Sequence, residues 1–147
     1  MKTRLTATRL GLTFGALMLA IAAGACGSSP TTPTPPVSTA PTLTQIQSEI
    51  FNTGCGACHT DVGRNPAAGL NLKAGSSFAQ LVGVASTQNP PAVRVIAGNA
   101  SGSYLVQKIE GSAGIVGSRM PLNGPPFLTD AQVKFIRDWI TAGALNN

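Results

Sequence analysis

Hydrophobic positions first fall into helical register at Ile46 and Ile50, four apart, with Phe51 beside them, until Gly54 ends the run. Thr44-Gln45-Ile46-Gln47 has the Ser/Thr-x-x-Gln form of a capping box. Together these predict a short helix over roughly Leu43 to Thr53. From Thr60 to Leu72 the pattern breaks down, because Gly63, Pro66 and Gly69 interrupt any regular element. Leu70, Leu72, Phe78, Leu81 and Val82 then supply apolar side chains suited to lining a pocket. A short helix is predicted over roughly Ser77 to Val82, with Ser76 or Ser77 as its cap. Gln88-Asn89-Pro90-Pro91 is a turn, and the apolar run Val93 to Ile96 is interrupted only by Arg94. After a second turn at Gly98 to Ser101, Leu105, Val106 and Ile109 make one face of a helix over Tyr104 to Ile109, capped by Ser101 or Ser103. Gly111 to Gly117 reads as a flexible segment.

The last periodic stretch carries the strongest helical signal. Thr129-Asp130-Ala131-Gln132 is a second capping box, with Asp130 adding favourable charge in the first turn. Val133, Ile136, Trp139 and Ile140 form a helical stripe, and Gly143 is a suitable stop. Trp139 is the one tryptophan in the chain, and it is expected to pack across the Phe51 end of the first helix.

The N-terminus follows another pattern. Lys2, Arg4 and Arg9 precede an uncharged run from Leu10 to Ala23, and Ala23, Gly24 and Ala25 lead into Cys26. This is the form of a bacterial secretory signal, too short and too abruptly ended for a membrane span. From Gly27 to about Pro41 the chain is dominated by Ser, Thr and Pro, a composition that buries no core and favours extended polyproline II with a reach on the order of 40–50 Å. Three parts follow: a signal peptide (1–25), Cys26 with a Pro/Thr/Ser tether (26–41), and one domain (42–147).

Composition changes little once the leader is set aside. The full chain has 147 residues, ten Lys and Arg, and five Asp and Glu. Three of those cations lie in the leader, so seven face five acids in the remainder and the high pI belongs mostly to the signal. With no basic cluster and no interleaved aromatic pattern, nucleic acid is not an expected partner.

Chemistry concentrates at Cys55-Gly56-Ala57-Cys58-His59. Two thiols separated by two small residues, followed by an imidazole, is the pattern for covalent attachment of a c-type haem. Cysteines three positions apart on one turn can each form a thioether with a haem vinyl group. The histidine is then the proximal iron ligand. Competing uses fit less well. A structural zinc needs about four ligands, whereas His59 is the one histidine and Cys26 the one other cysteine. A thioredoxin-type pair follows a strand, whereas helix precedes Cys55. A Cys55–Cys58 disulfide leaves His59 without a role.

Met120, in Arg119-Met120-Pro121, is the one methionine outside the leader and the natural second axial ligand; the competing role is core filling. Arg94 can pair with a haem propionate or stand as a solvated charge on an extended edge. Tyr104 can hydrogen-bond a propionate or pack. Arg119 is a further propionate candidate.

Taken together, Phe51, the Cys55–His59 pentapeptide, Met120-Pro121 and a C-terminal helix with Trp139 resemble a class I cytochrome c over roughly Thr42 to Ala144. Gly69-Leu70-x-Leu72, Ser103-Tyr104-Leu105-Val106-x-Lys108 and Gly117-x-x-Met120-Pro121 resemble single-haem domains of environmental bacteria. The resemblance implies an all-α fold, the N- and C-terminal helices packed around one covalent haem c with His59 and Met120 on the iron. It also implies one-electron transfer with redox partner proteins rather than enzymatic bond-making. Two alternatives stay open: the electron-input subunit of a larger extracytoplasmic oxidoreductase, and a five-coordinate haem protein reactive toward gas or peroxide.

Cys26-Gly27-Ser28-Ser29-Pro30 resembles the lipobox of bacterial lipoproteins, with Ala23 where Leu is more usual. It implies lipidation of Cys26 and a periplasmic domain anchored to the outer or inner membrane. Ordinary cleavage at the same place would instead leave a soluble periplasmic protein.

Overall fold

A computed structural model describes residues 39–63 and 65–147. The expected signal peptide (1–25), Cys26 and most of the expected tether therefore lie outside the described residues. Among those described, the fold is all-α: four α-helices, α1 (Leu43–Ile46), α2 (Ser77–Leu81), α3 (Tyr104–Glu110) and α4 (Asp130–Thr141), a π-helical continuation of α1 (Gln47–Cys55) and one 3-10 turn (Ala67–Gly69). Extended pairing is limited to three isolated bridges, Val82 with Val95, Ala85 with Val93 and Ile96 with Asn99.

The first helix starts at Leu43 as expected, but its capping box lies two residues before the one read at Thr44. Thr42, not Thr44, is the N-cap: its hydroxyl accepts from Gln45 N–H at 3.1 Å while Gln45 Oε1 accepts from Thr42 N–H at 2.9 Å. Both threonines have a glutamine three residues on, so local sequence does not choose between them. The choice is tertiary. Starting at Thr42 buries Leu43 and lets Thr44 Oγ1 donate to the Asn147 carbonyl at 2.8 Å.

Past Ile46 the winding widens. Ser48 Oγ and Thr53 Oγ1 donate to carbonyls three and four residues back, and side chains that compete in this way loosen the regular ladder. Gly54 adds low helical propensity. The wide winding closes with Gly56 N–H on the Phe51 carbonyl at 2.8 Å, one residue beyond α-helical spacing.

Helix α4 matches its prediction closely, with the Thr129–Gln132 capping box in place and Val133, Ile136, Trp139 and Ile140 buried. Its backbone turns at Ala142, and Gly143 takes the positive φ of 106° that an α-helical stop requires. Trp139 and Phe51 belong to one buried cluster with Ile46, Ile50, Ile136 and Ile140, and α4 packs against both α1 and α3. Trp139 Nε1 also donates to the Leu145 carbonyl at 2.9 Å.

The serines at the other two helix starts do not cap as expected. Ser76 occupies the N-cap of α2 without a side-chain bond, and Ser77 Oγ instead donates to Gln47 Oε1 at 2.7 Å. Buried Gln47 passes the connection on, donating to the Leu72 carbonyl. Ser103 precedes α3, but its hydroxyl bridges Asn99 O and Ile96 N–H.

Candidate functional site

The pentapeptide is wound as one turn at the end of the π-helical segment. Cys58 N–H and His59 N–H both donate to the Cys55 carbonyl, at 3.2 and 3.0 Å. Gly56 fits because a Cβ there would lie 3.3 Å from the Asn52 carbonyl. Cys55 is half-buried and Cys58 exposed, and both thiols are free. Burial pushes the Cys55 thiol up to about 11, which keeps its sulfur neutral.

Beyond His59 the chain folds back on the motif. Ala67 N–H donates to the Cys58 carbonyl at 2.9 Å and Leu72 N–H to the His59 carbonyl. The Ala67 carbonyl lies 3.1 Å from His59 Nδ1. Since a carbonyl only accepts, Nδ1 carries the proton and Nε2 is left with its lone pair free. Burial lowers the His59 pKa below its usual 6.5, and the charges of Arg94 and Lys108 act in the same direction. The neutral, ligand-competent ring is the form this site favours.

Two adjoining cavities, of about 230 and 470 Å3, share Cys55, His59, Ala67, Met120 and Leu122 in their walls. Because they share these walls, we describe the two together as one cleft with an inner and an outer lobe. The inner lobe has a lining that includes apolar Leu70, Leu72, Leu81, Leu105 and Ile109, with Ser86, Gln88, Arg94, Tyr104 and Lys108 among its polar members. The outer lobe adds Cys58, Ala57 and Pro121 and ends at Leu122, which is 68 % exposed. Cys55, Cys58, His59, Met120, Arg94 and Tyr104, distant in sequence, thus border a single cleft. Phe78 does not; it faces a groove beside α1 and the C-terminal Asn147.

Arg94 is not a solvated edge charge. It is 6 % exposed, and its guanidinium donates to the carbonyls of Gln80 at 2.9 Å, Gly69 at 3.2 Å and Ala68 at 3.3 Å. Ala68 sits in the left-handed region at φ 54°, a strained conformation for a residue with a Cβ. Thr87 Oγ1 also donates to its carbonyl at 2.7 Å. The strained turn next to the Ala67 acceptor is therefore clamped from two sides.

The segment 111–120 has no regular structure, yet it is held in place. Tyr104 Oη accepts from Val116 N–H at 2.9 Å. Lys108 Nζ donates to the carbonyls of Val116 and Ser118, and Met120 N–H donates to the Lys108 carbonyl at 2.8 Å. Arg119 Nε donates to the Ile109 carbonyl, and its guanidinium stacks 4.3 Å from the Phe127 ring centre. Arg119 is not among the cleft-lining residues.

In proteins with this motif a carbonyl in the loop after the histidine accepts the other ring nitrogen; the sequence did not say which, and the structure places the Ala67 carbonyl there. Lys108 was assigned no role, although it lies four residues from Tyr104 and so on the same helical face.

Compared with models of known protein families, with curated proteins and with solved structures, the chain matches none. The chemistry of the cleft rests on its own residues: two free thiols, one imidazole with Nε2 available, one thioether sulfur and two buried cations in an apolar surround. Among the described residues no three His, Cys, Asp or Glu side chains converge on a point.

Proposed function

We propose that this chain is a mono-haem c-type cytochrome of the class I fold, an electron carrier rather than an enzyme. The observation that carries the reading is the cleft itself, where the paired thiols, His59 and Met120 meet on a lining otherwise made largely of apolar side chains. The residues present fit a haem on four counts. Cys55 and Cys58 lie on one helical turn at its edge, and burial favours a neutral sulfur at Cys55, as a thioether is. His59 Nε2 is free because Nδ1–H is engaged by Ala67. Met120 supplies a soft thioether donor. Arg94 and Lys108, neither of which is in an ion pair among the described residues, suit a group with anionic substituents.

In this reading Cys55 and Cys58 hold the macrocycle covalently, and His59 and Met120 are the axial ligands. Bound there, haem iron supplies a centre that gains and loses one electron. The chain's own residues set the conditions. The apolar side chains exclude water, which disfavours the more charged oxidised state. Ala67 keeps the His59 ring in one tautomer, so the ligand is the same in both oxidation states. The cations at Arg94 and Lys108 favour the less positively charged, reduced site. Met120 would be the second protein ligand to the iron, which would leave no open site for oxygen or peroxide chemistry. Electrons then pass to and from partner proteins.

The test is a spectrum of protein matured with haem-attachment machinery. The oxidised form is expected to show a weak near-infrared methionine-to-iron band that Met120→Ala abolishes, with haem retained through denaturation. Absence of that band in wild type, or rapid carbon monoxide binding to the reduced protein, would replace it with the five-coordinate alternative.

Export and anchoring form the second half of the proposal. The leader and Cys26 support a periplasmic domain tethered by lipid, and fractionation decides it: Cys26→Ser is expected to move the protein from membranes to the soluble fraction. Unchanged fractionation would rule out the lipid anchor.

A further inference from the structure

Lys108 is placed where a lysine is rarely found. It is 7 % exposed, whereas lysine side chains ordinarily keep the ammonium in water even when the stem is covered. Taking that charge out of water costs several kcal/mol unless it is compensated, and none of the ion pairs among the described residues includes it. Its compensation comes from backbone carbonyls, Val116 O at 2.9 Å and Ser118 O at 2.7 Å. Two residues on, Met120 N–H donates to the carbonyl of Lys108 itself at 2.8 Å. One residue of α3 therefore binds the irregular strap at three points, the last on Met120. The strap has no regular structure of its own, Gly111, Gly114 and Gly117 all adopting positive φ, and its other anchors are Tyr104 Oη on Val116 N–H and Arg119 on the Ile109 carbonyl.

We infer that Lys108 is a positioning residue for Met120, its ammonium fixing the Val116–Ser118 backbone so that the methionine sulfur is presented to the cleft. The inference rests on the reading of Met120 as an axial ligand. A buried ammonium is suited to this task because it is a multiple donor with no acceptor of its own, so it can serve two carbonyls at once. It ties the ligand-bearing strap to the helix whose Tyr104, Leu105 and Ile109 line the same cleft. Strap and cleft wall then move together.

The experiment uses holo-protein in the oxidised state, with the near-infrared methionine band and the affinity for added imidazole as readouts. Lys108→Met is expected to lose most of the band and to bind imidazole about tenfold or more tightly, because two charge-assisted hydrogen bonds no longer hold the competing ligand. Lys108→Arg is expected to recover the band. Lys108→Gln, one atom shorter and able to reach only one carbonyl, should fall between; it carries the test should Lys108→Met yield no folded protein. Lys134→Met removes an equal charge from exposed α4, where Lys134 pairs with Asp138, and should leave both readouts at wild-type values. A wild-type band with wild-type imidazole affinity in Lys108→Met or Lys108→Gln overturns the positioning role and leaves Met120 ligation standing. No band in wild type overturns both.

Discussion

The helical seat behind the cleft and the straps beside it are held by different physics. The helical seat, α1 with its π-helical continuation against α4, is fixed by apolar burial: Ile46, Ile50, Phe51, Ile136, Trp139 and Ile140 are each at most 1 % exposed. The two straps that carry the Ala67 carbonyl and Met120 bury few large side chains. They are held by polar side chains reaching backbone carbonyls, Arg94 on residues 68–69 and Lys108 on residues 116–118. Burial is non-directional and tolerates small shifts, whereas a guanidinium or ammonium bound to two carbonyls fixes position. The seat supplies stability and the straps supply geometry.

The largest expected effect breaks the seat. Trp139→Ala in holo-protein should cost about 3–5 kcal/mol of stability, a large share of the total for a domain of this size. Urea unfolding measures it. The folded fraction should keep its methionine-to-iron band, because Trp139 is not among the cleft residues. A cost under about 1 kcal/mol, or loss of the band in folded protein, would mean that seat and straps are not separable.

A smaller effect follows from breaking the first strap. Arg94→Met removes a donor from three carbonyls, of which that of Ala68 keeps Thr87, and should cost about 2 kcal/mol, the buried charge it removes offsetting part of the loss. Arg94→Lys should recover less than half, since an ammonium cannot reproduce the spread of a guanidinium. Site effects should accompany the stability effect here. Arg94 helps to hold the His59 pKa down, so removing it raises that pKa. Acid release of the histidine from iron then begins at higher pH. Acid titration of the holo-protein spectrum measures this, and an unmoved midpoint would show that the first strap does not govern His59.

The same division explains what was legible in the sequence. The seat announced itself: Val133, Ile136, Trp139 and Ile140 recur with helical period, and the Thr129–Gln132 box is complete within four residues. Thr42 and Thr44 each offered a box, and what selects Thr42 involves Asn147, at the far end of the chain. For the site, the residue types were legible because they are scarce, one histidine and one methionine outside the leader. Their supports were not. A side chain bonded to a loop carbonyl leaves no periodicity, so Arg94 stayed open between a propionate partner and an edge charge and Lys108 drew no role. Burial decided both, and burial belongs to the folded chain.

The smallest effect sharpens the comparison at one residue. Ala68 adopts φ 54° and ψ 24°, a conformation that glycine adopts freely and alanine resists by roughly 1–2 kcal/mol. Glycine gives back part of that gain through the greater freedom of its unfolded chain. Ala68→Gly should therefore stabilise holo-protein by about 0.5–1 kcal/mol. Arg94 and Thr87 both donate to the Ala68 carbonyl, so the strain is one the clamp sustains. A double-mutant cycle with Arg94→Met tests that link. If the clamp holds the strained turn, Ala68→Gly should lessen the cost of Arg94→Met, giving a coupling energy of about 0.5 kcal/mol or more. Strict additivity would mean that the turn holds its shape without Arg94, and the first strap would then owe its geometry to local backbone rather than to the buried cation.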